Sequence, residues 1–258
     1  MKLLQAMLKH DGSGWKLNKF PVLEIFGPTI QGEGMVVGRK TMFVRTAGCD
    51  YSCSWCDSAF TWDGSAKDEI RRLTAEEIVE ELRSIGGDQF DHVTISGGNP
   101  ALLVHLKELI DPLHAQGCEV ALETQGSRWQ DWFVDIDDLT ISPKPPSSGM
   151  DTNWETLDSI IERMQKEGKS DQTSLKVVIF DEDDLAYAEK VHQRYPGVPF
   201  FLQVGNDDLE ESNAENLASV LLTKYEWLID QVVQSSTLNR VRVLPQVHAL
   251  LWGNKRGV

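Results

Sequence analysis

No uninterrupted apolar run in these 258 residues approaches the roughly 20 needed to cross a bilayer. Basic charge is scarce as well. Lys and Arg number 25 against 40 Asp and Glu, a formal net charge of −15 with a pI near 4.8. Phosphate groups are held by clustered Lys and Arg, so this shortage argues against nucleic acid as a partner and against an anionic membrane surface. A disulfide framework is missing: of four cysteines, three fall within eight residues and Cys118 stands alone. The start, Met1 to His10, is too short in its apolar part and too soon charged for a secretory signal. No repeat or low-complexity tract occurs. What remains is a soluble chain, expected in the cytoplasm, whose 41% hydrophobic content suffices for the core of a single domain.

Strands alternate with helices along that chain. Strands are expected at Thr41–Thr46, His92–Ile95, Cys118–Leu122, Leu139–Ser142, Leu175–Ile179, Phe200–Gln203 and Val241–Leu244. Thr74-Ala-Glu-Glu77 is a capping box that opens a helix with Ile78, Leu82 and Ile85 on one face. Leu102, Leu106, Leu109 and Leu113 make one buried stripe of the next helix, which Gly117 ends. Further helices carry Leu157, Ile160, Ile161 and Met164, then span about Glu182 to Arg194 and roughly Ala214 to Ile229. The acidic runs Asp181–Asp184 and Asp207–Glu211 read as solvated helix starts, where negative charge complements the macrodipole. Alternation of this kind implies parallel pairing through right-handed crossovers. About six units, fewer than a full barrel needs, predict an α/β fold with an open, partial parallel (β/α)6-type barrel. The expected layout is an N-terminal extension over 1–40, a barrel core over 41–245 and a tail over 246–258.

Cys49-Asp-Tyr-Ser-Cys53-Ser-Trp-Cys56 is the feature with the most chemistry in it. A structural zinc site wants four ligands, and no fourth stands nearby; the next histidine is His92. Three thiolates on one short loop can instead hold three irons of a [4Fe–4S] cluster and leave the fourth iron open to a substrate or cofactor. Gly97-Gly98-Asn99-Pro100, after the next strand, permits close backbone approach, and by itself reads equally as an ordinary strand-to-helix turn.

The cysteine spacing, with Trp55 before the last cysteine, resembles the radical S-adenosylmethionine superfamily. That resemblance implies that S-adenosylmethionine chelates the open iron and is cleaved to a 5′-deoxyadenosyl radical. It also implies that the Gly-Gly-Asn turn meets the cofactor's amino group, with Asn99 standing where the superfamily has an acid. Further motifs narrow the resemblance: Ile30-Gln-Gly-Glu-Gly34, Gly38-Arg39, Phe43-Val-Arg-Thr-Ala-Gly-Cys49, Cys56-Asp-Ser-Ala-Phe60, Glu123-Thr-Gln-Gly126, Ser142-Pro-Lys144, Leu175-Lys-Val-Val178 and Gln203. From about residue 23 to His248 the chain resembles the 7-carboxy-7-deazaguanine synthase family.

Membership implies conversion of 6-carboxy-tetrahydropterin to 7-carboxy-7-deazaguanine, with ring contraction and loss of ammonia, in the queuosine (7-deazapurine) pathway. It implies Mg²⁺ with Ser58 as protein ligand, a homodimer, and an electron donor such as a flavodoxin. Cofactor contacts are expected from Trp55, Asp57, Gly98, Asn99, Ser142, Pro143, Lys144 and Gln203. Substrate contacts are expected from Ile30, Gln31, Gly32, Glu33, Arg45, Ser96 and His248. The chemistry of a pterin fits: Gln31 and the backbone of Ile30 and Gly32 suit an amide edge, Glu33 suits guanidine-like N–H groups, and Arg45 offers a planar fork to a carboxylate. Cys118 is expected to be a small buried strand residue, and the tail to dock over the active site or at a dimer interface. Two other readings stand beside this one, a glycyl-radical activase and a non-catalytic zinc or iron–sulfur module. The first gives no reason for Gln31-Gly-Glu33 or Ser58; the second needs a fourth protein ligand that is not found, and a barrel would be superfluous to it.

Overall fold

A computed structural model describes residues 18–258. Residues 1–17 lie outside the described residues, and with them the segment read for a secretory signal and the first part of the expected extension. Among the described residues nine strands form one sheet: β1 Phe20–Ile30, β2 Lys40–Thr46, β3 Arg71–Leu73, β4 His92–Gly97, β5 Glu119–Thr124, β6 Asp138–Ile141, β7 Thr173–Ile179, β8 Phe200–Val204 and β9 Val241–Leu244. Their order is β3-β1-β2-β4-β5-β6-β7-β8-β9, with β3 and β9 at the open edges. The run from β2 to β9, in that order, is parallel throughout. These are the seven strands expected from the patterning, in an open sheet.

The crossovers carry α1 Ala75–Gly86, α2 Lys107–Ala115, α3 Trp154–Lys166, α4 Glu182–Arg194 and α5 Ala214–Gln234, and a short α6 Val247–Trp252 follows β9. Local chemistry explains their starts. Thr74 and Glu77 form the capping box of α1, while Asn153, Asp181 and Asn213 cap α3, α4 and α5 through their side chains. The main apolar core lies between sheet and helices, with Ile95, Leu122, Ile141 and Val177 among its fully buried strand residues, and a small second cluster joins Leu217 and Leu221 of α5 to Ala249 of α6.

Three expectations need correction, and a fourth gains detail. Much of the segment assigned to the N-terminal extension is β1, antiparallel to both β2 and β3. Its Pro21, Gly27 and Pro28 break the usual strand pattern, and the ladder accommodates irregularity by register shifts between Val22 and Glu24 and between Phe26 and Thr29. Ile85 is 46% exposed, because the buried stripe of α1 runs through Ile78, Val79 and Leu82 instead. Leu102 is half-buried in a separate 3-10 turn, since Asn99 caps Pro100–Leu102 and α2 begins only at Lys107. Of the first acidic run, Asp181 to Asp183 are exposed as expected, but Asp184 is fully buried, where its carboxylate accepts the backbone N–H groups of Ser147 and Phe180 at 3.0 Å each. Cys118 is buried, as expected.

The α1 stripe makes a simple test. Leu82→Ala should cost about 3 kcal/mol in urea unfolding, the usual loss for a large apolar side chain from a packed core, while Ile85→Ala should cost under about 1 kcal/mol.

Candidate active site

At the carboxyl ends of the parallel strands the sheet opens into a cleft of about 370 Å³. Such sheets gather their sites at this end because the strand-to-helix loops converge there. Cys49, Cys53 and Cys56 line one part of it; Glu33, Arg45, Lys176 and His248 line another.

The cysteine stretch from Ala47 to Ser58 contains neither helix nor strand, so its shape comes from its neighbours. On one side it lies on the Gly97-Gly98 turn at the end of β4. The N–H of Gly98 donates to the Thr46 carbonyl at 3.1 Å, and that of Asn99 donates to the Gly48 carbonyl at 2.7 Å. A Cβ on Gly98 would stand 2.2 Å from the Gly48 oxygen, so only glycine lets the two backbones meet. On the other side the loop rests on the turn after β6: Ser54 N–H donates to the Ser148 carbonyl at 3.0 Å, and Trp55 Nε1 donates to Ser147 Oγ at 2.9 Å.

Burial pushes all three thiols above the ordinary cysteine value, so a bound cation is needed to hold them as thiolates. Donors are already aimed at the sulfurs. Tyr51 N–H lies 3.4 Å from Cys49 Sγ, Trp62 Nε1 3.4 Å from Cys56 Sγ, and Gln125 Nε2 3.6 Å from Cys49 Sγ. Three sulfurs lining one cleft, those of Cys49 and Cys56 with N–H groups directed at them, fit a three-thiolate iron–sulfur cluster.

Another part of the cleft is built around a buried charge. Every residue of β7 is buried, including Lys176. Its Nζ lies 2.5 Å from Glu33 Oε2 and 3.4 Å from Glu123. Gln246 Nε2 donates to Glu33 Oε1 at 3.1 Å, and His248 Nδ1 lies 3.8 Å from the same oxygen. Burial alone would raise the pKa of Glu33, but the charges of Lys176 and His248 and the hydrogen bonds from Lys176 and Gln246 outweigh it and lower the carboxyl to about 2. Burial likewise opposes the Lys176 charge, yet Glu123 and Glu33 hold its ammonium above the usual lysine range. Glu33, Asp57 and His248 also bring ligand atoms within 4.8 Å of one another.

Arg45 pairs through Nε with Glu24 Oε2 at 2.7 Å and donates through Nη1 to Ser58 Oγ at 3.0 Å. The Ser58 hydroxyl donates in turn to Asp57 Oδ1 at 2.8 Å. One lone pair of the Ser58 oxygen stays free, and with the Asp57 carboxylate beside it the position offers hard oxygen donors of the kind Mg²⁺ takes. Glu24 also accepts from Arg256 Nε at 2.9 Å, and the Arg256 guanidinium lies 3.8 Å over the Phe60 ring. This anchors the C-terminal tail, whose residues Gly253 to Val258 line the cleft.

Of the residues expected at the cofactor, Trp55, Asp57, Gly98, Ser142 and Lys144 line the cleft; Lys144 Nζ lies 5.7 Å over the Trp55 ring. Asn99, Pro143 and Gln203 stand behind the lining, all buried. Asn99 has both its amide donors and its carbonyl oxygen engaged by protein partners, and Gln203 Nε2 points to the Pro245 carbonyl at 3.4 Å. All seven residues expected at the substrate, Ile30, Gln31, Gly32, Glu33, Arg45, Ser96 and His248, line the cleft, as does Ser58. Gly32 is close-packed on the tail: a Cβ there would lie 2.7 Å from His248 Nδ1.

Sequence reasoning assigned no role to Lys176, Glu123 or Gln246. A lysine inside an otherwise apolar strand, Leu175-Lys-Val-Val-Ile179, was the available signal, because a buried ammonium requires a carboxylate partner.

Comparison with known proteins gives the family. The model of the radical SAM superfamily matches residues 43–196. A 7-carboxy-7-deazaguanine synthase of Bacillus subtilis (strain 168) is 66% identical over 238 residues, 92% of this chain and 98% of that protein. One from Bacillus cereus is 63% identical over 242 residues, 94% of this chain and all of that protein. Among solved structures, that of QueE from Escherichia coli shares the fold with a TM-score of 0.65 at 20% identity, over 89% of this chain and 95% of that one.

The buried pair sets a pH window. The stabilisation from ionised Glu33 is full above its ordinary value of 4.5 and is lost as pH falls towards 2; that from charged Lys176 is full below 10.5 and is lost above it. Measured against the double variant Glu33→Gln/Lys176→Met, the wild-type unfolding free energy should therefore be flat between those limits and fall on either side. Lys176→Met alone, which strands a buried carboxylate, should cost about 3–5 kcal/mol in denaturant unfolding.

Proposed function

Because the chain belongs to the 7-carboxy-7-deazaguanine synthase family of the radical SAM superfamily, we propose that it converts 6-carboxy-5,6,7,8-tetrahydropterin to 7-carboxy-7-deazaguanine with release of ammonia. The observation that carries this reading is a single cleft lined both by three thiols and by an ionised carboxylate backed by a buried lysine. A radical generated at the thiols would act on a pterin held at the carboxylate.

Cys49, Cys53 and Cys56 would hold the [4Fe–4S] cluster, and Trp55, Gly98, Ser142 and Lys144 would cradle S-adenosylmethionine. When bound and reduced, the cluster supplies the electron that cleaves this cofactor to a hydrogen-abstracting 5′-deoxyadenosyl radical. The chain's own residues bind, orient and shield. Glu33 stays a carboxylate at any working pH and accepts N–H groups from the guanidine-like edge of the pterin, a charge-assisted bond. Lys176 keeps it ionised and Gln246 fixes its orientation. Gln31, whose Oε1 accepts the Glu33 N–H at 3.2 Å, reads the neighbouring amide edge. His248 reaches the substrate from α6. Arg45, held by Glu24, orients the Ser58 hydroxyl, which with Asp57 would hold Mg²⁺ against the substrate carboxylate. The tail from Gly253 to Val258 lines the cleft and would shield a radical there from stray hydrogen donors. A homodimer, a flavodoxin-like electron donor and a cytoplasmic location belong to the same reading. Among the described residues no helix is long and apolar enough to cross a membrane.

Anaerobically reconstituted, reduced protein given the carboxy-pterin and S-adenosylmethionine should form 7-carboxy-7-deazaguanine, faster with Mg²⁺. Chromatographic detection of no deazaguanine would sink the reading even if the cofactor were cleaved. Ser58→Ala should remove most of the Mg²⁺ stimulation. Glu33→Gln should weaken substrate affinity roughly tenfold to a hundredfold, since a charged hydrogen bond is worth about 1.5–3 kcal/mol.

A further inference from the structure

Asp50 follows the first cysteine and plays no part in the reading above, yet it collects more side-chain donors than any other residue of the cysteine loop. Its Oδ1 accepts from Gln125 Nε2 at 2.6 Å and from Asn99 Nδ2 at 2.9 Å; its Oδ2 accepts from Ser127 Oγ at 2.8 Å. All three donors lie at or just beyond the ends of β4 and β5. Asn99 is itself fully committed. Its second amide hydrogen reaches Ser127 Oγ at 3.0 Å, and its carbonyl accepts the Ala101 N–H at 3.1 Å and the Thr124 hydroxyl at 2.8 Å. At 1% exposure and behind the cleft lining, it has no free donor or acceptor to offer a ligand. Asp50, in contrast, is exposed, so folding gains little from burying it.

We propose that Asp50 is a positioning residue for the cysteine loop, and that Asn99 acts by donating to Asp50 rather than by meeting the amino group of the cofactor. The two side chains form one unit. Asn99 is fixed by β5 and the turn after β4, it holds the carboxylate of Asp50, and Asp50 sets the backbone that presents Cys49. Gln125 makes the link direct, because the Nε2 that donates to Asp50 also lies 3.6 Å from Cys49 Sγ. An amide at position 99 then has a physical reason. A carboxylate there would stand about 3 Å from that of Asp50, and two like charges at that range repel. The proposal rests on the cluster belonging to Cys49, Cys53 and Cys56, not on the pterin reaction, so iron binding tests it apart from product formation.

The experiment uses the full chain, reconstituted anaerobically, with iron content, the rate of iron loss to a chelator and the midpoint potential of the cluster as readouts. Asp50→Ala and Asn99→Asp should each hold iron roughly tenfold less tightly, the usual effect of removing a group that orients a metal ligand. A cluster that remains in Asn99→Asp should have a lower potential, since a negative charge is added beside it, whereas Asp50→Ala, which removes one, should raise it. The swap Asp50→Asn/Asn99→Asp, with the Gln125 amide turned to present its Oε1, restores donors facing acceptors and should recover iron retention. Circular dichroism of the apo chains monitors folding in every variant. Three results would overturn the proposal: wild-type iron retention in Asn99→Asp, failure of the swap to rescue, or a change in S-adenosylmethionine affinity alone with the cluster unaltered. A wild-type chain that takes up no cluster would overturn it together with the cluster assignment.

Discussion

Three sulfurs on a stretch with no helix or strand of its own can line one cleft only if neighbouring backbone holds that stretch in place. The Gly97-Gly98 turn does this by lying directly against Gly48, with no side chain between them. The contact ties the loop to β4, the strand beside the one that delivers the loop. Asn99 and Gln125 extend the hold to β5 through Asp50, and Ser147 and Ser148 brace the far side from the turn after β6. An irregular loop thus takes its rigidity from three consecutive parallel strands. The cost of fixing its backbone is met by hydrogen bonds to groups that are themselves held in the sheet.

The carboxylate part of the cleft depends on the opposite device, a charge inside an apolar strand. Lys176 is tolerated in β7 because Glu33, Glu123 and Gln246 converge on the same pocket, and Glu33 is tolerated because Lys176 is there. Removing either partner leaves an uncompensated buried charge, so the pair stands or falls together. The arrangement keeps one acceptor ionised at a fixed point in the cleft. It also draws the C-terminal region into the site, since Gln246 and His248 meet Glu33 and Arg256 meets Glu24.

Much of this was legible in the chain. The seven parallel strands follow from alternation and turn residues, the cysteine spacing points to three-thiolate iron chemistry, and the stretches around Gln31-Gly-Glu33 and Ser58 carried a family resemblance that identities of 66% and 63% bear out. What stayed hidden has particular causes. β1 contains Pro21 and Pro28, which argue against a strand unless the bulges that accommodate them are seen. Ile85 and Leu102 carry the right periodicity but lie just beyond where the stripe of α1 and the start of α2 hold. Asp184 sits in an acidic run that reads as solvated, and only the packing of α4 on the turn after β6 turns its carboxylate into a buried cap.

The sequence by itself determined the chemistry that is local in the chain: which residue types stand within eight positions of one another, where helices are capped, and which segments are apolar on one side. Only the tertiary structure decided which of those residues face the cleft. Asn99 follows two glycines of a recognisable motif yet turns behind the wall, because Asp50, Ser127 and Thr124 from other segments saturate its amide. Lys176 and Glu33 are 143 positions apart and become partners only when β7 is buried next to the turn after β1. Spacing can specify a loop of ligands, because those atoms are bound to a common backbone. The fate of a buried donor or charge depends on groups brought from far along the chain, and that is settled by packing.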